Sequence, residues 1–317
     1  MDVPSTSRRR HDIGAVLVSL VAVALSALLV RGAAAQAGRD TPAAVAESLI
    51  AADRAASTRA ARRPLADGLA AMFRDDVIAP GAPARLYRGL EEVRAYLRAS
   101  PDADGRAAWT PVRAGVSADG RHGFTFGFMT VTRADGATTP LKYMAYWIRD
   151  EDGTWRVAGY KRARRPEGEA SLTVMAPVLP GRTVSPTTDA ATGDRHRASL
   201  AAAERAFSDR AQVIGLGPAF REFGAPTAVN MGGPARVPFV VGPDAIATLI
   251  GASSPQPTSP VEWSTDVALV ASSGDLGISF GFIRPHATPG GAAPTGSPFF
   301  TIWHRATPDA PWRYIAE

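Results

Sequence analysis

The phrase GFTFGF at residues 123–128 returns as GISFGF at 277–282, 154 residues further along a chain of 317. A repeat of that period is the length of a domain and far longer than a solenoid unit, so it predicts two related domains. Other pairs fall in the same order around it. AADRAAS (51–57) answers AAERAFS (202–208), and GLEEVRAYL (89–97) answers GPDAIATLI (242–250). Trp109 answers Trp263, YMAYWIR (143–149) answers FFTIWHR (299–305), and TWRVAGY (154–160) answers PWRYIAE (311–317). The offset drifts from 151 at the first pair to 157 at Trp155 and Trp312, the drift that insertions in loops produce. Residues 166–194 are rich in Pro, Gly, Ser and Thr without a sustained period, which predicts a linker between domains at 41–165 and 195–317.

Within each copy the hydrophobic period changes from helical to strand-like. Thr41 is a cap candidate with Pro42 at the first helical position, and Val45, Leu49, Ala52 and Ala56 then share one face, so a long helix is expected over 41–63. Shorter helices are expected over 64–73 and over 89–100, where Leu90, Val93, Tyr96 and Leu97 recur at spacings of three and four. The stretches 107–117, 122–132, 141–149 and 154–161 alternate with period two. They are divided by the turn pairs Asp119-Gly120, Asp135-Gly136 and Asp152-Gly153. Helices followed by an antiparallel meander give an α+β class. In GFTFGF, Phe124, Phe126 and Phe128 share one face while Thr125 and Gly127 share the other; Ile278, Phe280 and Phe282 oppose Ser279 and Gly281 in the same way. Strand-interior glycine is tolerated where a sheet bends hard or another backbone comes close. The expectation is a strongly curved, mostly antiparallel sheet in each copy. Its bulky face would wrap a core, and about three helices would close the open side.

The run RGLEEVRAYL (88–97) before the meander, Trp109 in the strand that opens it, SADGRHGFTFG (117–127) and the terminal DGTWRV (152–157) resemble the nuclear transport factor 2-like superfamily, in particular its SnoaL-like branch, in two tandem copies. The resemblance implies two cone-shaped domains, each enclosing an apolar pocket. The same scaffold serves isomerases, dehydratases, cyclases, hydrolases and non-catalytic binding or dimerisation modules, so it does not fix a reaction. Compared with ketosteroid isomerases, the position of the general-base aspartate corresponds to Ala79, before Pro80-Gly81, and in the second copy to Asn230 or Met231. None of these accepts a proton, so that mechanism lacks its base in either copy.

Composition narrows the remaining classes. The net charge is +5, and of 35 basic residues only Lys142 and Lys161 are lysines. The arginines are scattered, and the densest cluster, YKRARRP (160–166), lacks the interleaved aromatics of a nucleic-acid groove, so no nucleic-acid partner is expected. SRRRHD, the uncharged run Ile13–Val30 and the small residues at Ala33, Ala35 and Ala37 predict a signal peptide over 1–37, with an uncleaved membrane anchor as the alternative. The folded part is then expected in the periplasm or secreted. With no cysteine there is no disulfide, thiol nucleophile or thiolate-bound metal, and five histidines without ligand spacing predict no metal; no cofactor is expected.

The aromatics carry the positive case for a site. Trp109, Phe126, Tyr143 and Tyr146 in the first copy, and Trp263, Phe280 and Trp303 in the second, are the candidate ligand-binding residues. Tyr143 and Tyr146 have opposite parity, so at most one of them faces inward on a regular strand. Three readings stand: a module binding a small hydrophobic molecule without a catalytic dyad; an isomerase-like or dehydratase-like lyase or isomerase acting in the first copy; and a structural module. In the third, the copies pack sheet to sheet as an intramolecular pseudo-dimer in place of a homodimer.

Overall fold

A computed structural model of the chain describes residues 1, 41–232, 237–286 and 296–317. The expected export segment lies, Met1 apart, outside the described residues; among those described, no helix is long and apolar enough to cross a membrane. The first domain runs α1 (Pro42–Ala60), α2 (Leu65–Ala70), β1 (Phe73–Gly81), β2 (Arg85–Arg88), α3 (Leu90–Arg98), β3 (Arg106–Val116), β4 (His122–Thr132), β5 (Thr138–Arg149) and β6 (Trp155–Arg164). The second runs α4 (Ala190–Ile214), α5 (Leu216–Phe223), β7 (Gly224–Asn230), β8 (Val240–Val241), α6 (Pro243–Ser253), β9 (Val261–Val270), β10 (Leu276–Pro285), β11 (Ser297–His304) and β12 (Arg313–Ala316). Each domain has one six-stranded sheet, ordered β2-β1-β6-β5-β4-β3 in the first and β8-β7-β12-β11-β10-β9 in the second. All neighbours are antiparallel except β1 with β6 and β7 with β12. That is the duplicated arrangement implied by the resemblance to nuclear transport factor 2-like proteins. The sheets curve without closing into barrels.

The first helix of each domain lies across the inner face of its sheet. Thr41 caps α1, its side chain accepting from the Ala44 amide at 3.2 Å, and Val45, Leu49, Asp53 and Ala56 form the buried stripe. The glycines of the repeated phrase fit this packing. A Cβ on Gly123 would stand 2.6 Å from Leu49 Cδ2, and one on Gly277 would stand 2.8 Å from Leu200 Cδ2, so the first glycine of each phrase makes room for a helix leucine. The second glycine answers a bulge. Gly127 pairs with Pro111 where β3 shifts register, and a Cβ there would meet the Thr110 carbonyl at 2.1 Å. Gly281 pairs with Thr265 at the equivalent shift in β9, with the Ser264 carbonyl 1.9 Å from its would-be Cβ. Backbone approach of this kind admits no side chain, and the bulge bends the sheet toward the helices.

The orientation expected for the bulky face is reversed. Phe124, Phe126, Met144 and Tyr146 point away from the helices of their own domain and join one apolar core with Ile278, Phe280, Phe300 and Ile302 of the second. Period two separates the faces of a strand but does not say which is inner, and both faces are apolar here because a second sheet covers the outer one. The two sheets therefore pack face to face, so closely that a Cβ on Gly159 would lie 2.8 Å from Phe280 Cζ.

Polar contacts rim this interface reciprocally. Asp119, in the β3–β4 turn, accepts from the Ser272 hydroxyl (2.7 Å) and the Ser273 amide (3.1 Å), while Asp275, in the β9–β10 turn, accepts from the Ala118 amide (3.0 Å). Buried Arg113 donates to the Thr227 carbonyl (2.6 Å) and hydroxyl (2.8 Å) and to the Ala176 carbonyl (2.9 Å). The segment expected as a linker lies along the edge of β3. The Met175 amide bonds to the Val112 carbonyl and the Val178 amide to the Ala114 carbonyl, at 2.7 and 2.9 Å, which covers an edge otherwise open to pairing.

Two outcomes are expected. Phe280→Ala removes a ring with 0% exposure from the shared core and costs about 3–5 kcal/mol, with one unfolding transition for both domains in a denaturant titration. Two separated transitions would show that the domains fold independently. His122 lies 2.8 Å from the Tyr146 hydroxyl, and burial lowers its pKa from 6.5 to about 4, against the opposing pull of Asp119. The unfolded chain takes up this proton near pH 6.5 and the folded one only near pH 4, so protonation of the unfolded state removes stability as the pH falls through that window. Compared with His122→Asn by thermal denaturation, the wild type loses about 1–3 kcal/mol more between the two ends of the window. Parallel pH profiles would contradict it.

Candidate functional site

Both cones hold a carboxylate on their first helix, at matching places. Asp53, 0% exposed, accepts from Trp109 Nε1 (2.6 Å) and from the Tyr143 hydroxyl (2.7 Å). Glu204, 1% exposed, accepts from Trp263 Nε1 (2.8 Å), Trp303 Nε1 (2.9 Å) and the Ser279 hydroxyl (2.5 Å). One turn on, Ser57 and Ser208 accept from the Trp109 and Trp263 amides, at 2.7 and 2.9 Å. Each carboxylate has its pKa raised by burial, with the hydrogen bonds working in opposition. The pairing AADR/AAER carried this correspondence in the sequence, and neither acid stands among the residues expected to form the site.

The cones differ in what fills them. In the first, Tyr143 and Tyr160 are buried beside Trp109 and Phe73, with ring centroids 6.1 Å apart for Trp109–Tyr143 and 5.3 Å for Phe73–Tyr160. The Tyr160 hydroxyl reaches Met129 Sδ at 3.8 Å. Asp53 does face a tyrosine, the feature that would favour chemistry in this copy. Both of its oxygens are already engaged by side chains of the same packed core, so the group is structural.

In the second cone the residue matching Tyr160 is Glu317, and a cavity of about 240 Å³ opens there. Strand β12 ends at Ala316 and pairs with β11 only over Ile302–His304, whereas β6 pairs with β5 from Leu141 to Arg149. The shorter strand leaves Phe299, Phe300 and Thr301 bare on that side. The cavity is lined by these three, by Phe207, Leu216, Phe220, Ile250, Trp263 and Ile283, and by Asn230, Met231, Glu204 and Glu317. Ser253 and Val261 complete the second domain's share, and one further polar group comes from the other domain. Lys161, on the outer face of β6, enters the opening with Nζ 5.7 Å from the Phe300 ring centroid.

The electrostatics follow from this apolar box. Glu317 accepts from Asn230 Nδ2 at 2.5 Å, and burial raises its carboxyl pKa against the pull of Lys161, with Glu204 pushing it further up. Burial lowers Lys161, with Glu317 opposing. Both groups are thus moved toward their neutral forms at neutral pH. The arrangement offers an apolar volume with an amine, an amide and a protonatable carboxyl at one end. It can orient a small molecule with a single polar group and exchange a proton with it.

Of the seven residues expected from sequence, Trp263 lines this cavity, and Trp303 is buried behind it on Glu204. Trp109 and Tyr143 belong to the filled first cone. Phe126, Tyr146 and Phe280 lie between the sheets, so no ligand in either cone is reached by them; this corrects the expectation that the bulky face with Phe126 and Phe280 is the inner one. Tyr143 points inward and Tyr146 outward, as their opposite parity required. Asn230 and Met231 do occupy the site, but its acid comes from Glu317 at the end of β12. Lys161 gave no signal, because it serves a cone in which it is not encoded. Among the described residues no cluster of three or more His, Asp or Glu could hold a metal ion.

No family model matches the chain, and no curated protein matches it. Among solved structures it is similar to a ketosteroid isomerase-like protein from Erwinia carotovora atroseptica SCRI1043, at 19% identity over 38% of this chain and 96% of that one, with a TM-score of 0.31. It is also similar to a conserved protein from Planctomyces limnophilus DSM 3776 (18% identity, 37% and 98% covered, TM-score 0.29). A third is a domain of unknown function with a cystatin-like fold from Nostoc punctiforme PCC 73102 (15% identity, 38% and 78% covered, TM-score 0.31).

Asp53→Ala leaves the Trp109 and Tyr143 donors buried without an acceptor, and a loss of about 2–4 kcal/mol is expected in chemical denaturation. A loss below about 0.5 kcal/mol would mean that the pair does not hold the first cone together.

Proposed function

We propose that the protein binds a small, largely apolar molecule with one polar end in the second cone, and that the first domain serves as scaffold. The supporting observation is the contrast between the copies: the same fold is packed solid where Tyr160 stands and open where Glu317 stands. A volume of about 240 Å³ lies just below the roughly 300–1,000 Å³ range of drug-sized ligand pockets, so the fitting molecules are small. The lining is mainly aromatic and aliphatic with a few polar side chains, among them Asn230, Ser253, Glu317 and Lys161, the pattern of a site that takes affinity from burial and orientation from a few hydrogen bonds. The basic, apolar and small-residue pattern of residues 8–37 supports placing this activity outside the cytoplasm.

The sheet-to-sheet packing favours the pseudo-dimer reading as a companion to this one. The interface holds the two copies against each other and also delivers a side chain of the first into the cavity of the second. A lyase or isomerase in the first cone has less support, since Asp53 is spent on Trp109 and Tyr143.

The test is fluorescence titration with 1-aminoanthracene, an uncharged dye that suits an apolar cavity. Saturable binding is expected for the wild type and for a first-cone variant, Tyr143→Phe. A loss of tenfold or more is expected for Ile250→Trp, which places an indole in the cavity, with thermal stability measured alongside. Equal binding by wild type and Ile250→Trp would defeat the proposal.

A further inference from the structure

Lys161 lines the cavity. Its ammonium group makes no hydrogen bond and no ion pair within 4.0 Å among the described residues; it stands over the Phe300 ring and shares the cavity lining with the Glu317 carboxyl, whose charge it feels. Lys142, one strand away on the same outer face, differs in this respect: its ammonium donates to the Val237 carbonyl and lies 5.7 Å from the Phe239 ring centroid. A chain that uses arginine for every other basic side chain has its only two lysines here, turned toward the second domain. An arginine at 161 would keep its charge and could not act as an amine nucleophile.

The surroundings select the ligand class. A carboxylate ligand would meet Lys161 but also Glu204 and Glu317, and an ammonium ligand would meet Lys161 itself. A neutral carbonyl compound conflicts with none of them.

We propose that Lys161 forms an imine with a small apolar aldehyde or ketone held in the second cone, a covalent capture site assembled from both domains. The proposal rests on the second cone being a binding cavity. The neutral amine attacks the carbonyl carbon, and the C–N bond forms as the C=O π pair moves to oxygen, which takes a proton from the Glu317 carboxyl. The nitrogen returns a proton to the Glu317 carboxylate, giving a neutral carbinolamine. The hydroxyl is then protonated by Glu317 and leaves as water while the nitrogen lone pair closes the C=N bond. The resulting iminium gives its N–H proton back to Glu317, so one amine and one carbonyl compound yield one imine and one water. Burial favours the free amine of Lys161 and the protonated acid of Glu317 together, the pair of states the first step needs.

The experiment treats the folded protein with benzaldehyde and sodium borohydride, which reduces an imine to a stable amine, and maps the adduct by peptide mass spectrometry. Trapping at Lys161 is expected at least tenfold faster than at Lys142, and this preference disappears when the protein is labelled in denaturant. Lys161→Arg loses the fast adduct, and Glu317→Gln slows it tenfold or more, with thermal stability of both measured alongside. Should either variant fail to fold, the lysine preference in the wild type alone decides. Dye binding with no preferential trapping at Lys161 would overturn the imine and leave the cavity reading intact. Absence of both would overturn the two together. Benzoate displacing the dye more strongly than benzaldehyde, without trapping, would also overturn it and identify Lys161 as an anion anchor.

Discussion

The contact on which the rest depends is the apolar seam between the two sheets. Each sheet is curved over its own helices, and that curvature places Phe124 and Phe126, or Ile278 and Phe280, on a face that its own domain cannot cover. Exposed, such a patch would be an association hazard; buried against its duplicate, it becomes the larger part of a common core. The glycines belong to the same construction. Bulges at Pro111 and Thr265 sharpen the bend only because Gly127 and Gly281 let the neighbouring carbonyl in, and Gly159 lets Phe280 approach the first sheet.

Duplication freed one copy to change. The first cone fills its interior with Tyr143, Tyr160 and the Asp53 hydrogen bonds. The second shares its outer face with the first, so stability from the seam offsets an interior left partly empty. That is why a glutamate can stand at 317 where the first copy carries a buried tyrosine, and why the opening beside β12 persists. Burial then acts on the chemistry. The apolar walls push Glu317 up and Lys161 down, and their mutual attraction opposes the shift without cancelling it.

The architecture was legible because it is written in periodicity: the changes of period mark the helices and strands, and the repeated phrase marks the duplication. Parity correctly separated Tyr143 from Tyr146. It failed for Phe126 and Phe280, since alternation names two faces and only the three-dimensional partner tells which is inside. The site was less legible for a different reason. Glu204 had a visible counterpart in Asp53, but a lone acid on a helix gives no sign of burial until the tryptophans that bond it are in place. Glu317 takes its meaning from a strand that ends one residue before it.

Lys161 is the extreme case, and it shows what the duplication makes possible. In its own domain it is an outward residue on β6, opposite Met144, with no role in the first cone. Across the seam it becomes the one cationic group lining the second cavity among the described residues. A side chain delivered by a neighbouring domain is positioned by the whole interface, so its placement is as rigid as the packing of Gly159 against Phe280, two residues away on the same strand. Loosening of the seam therefore withdraws the amine from the cavity. The second cavity and the sheet-to-sheet seam are, in this sense, one structure, and the first domain contributes to the lining of a cavity in the second.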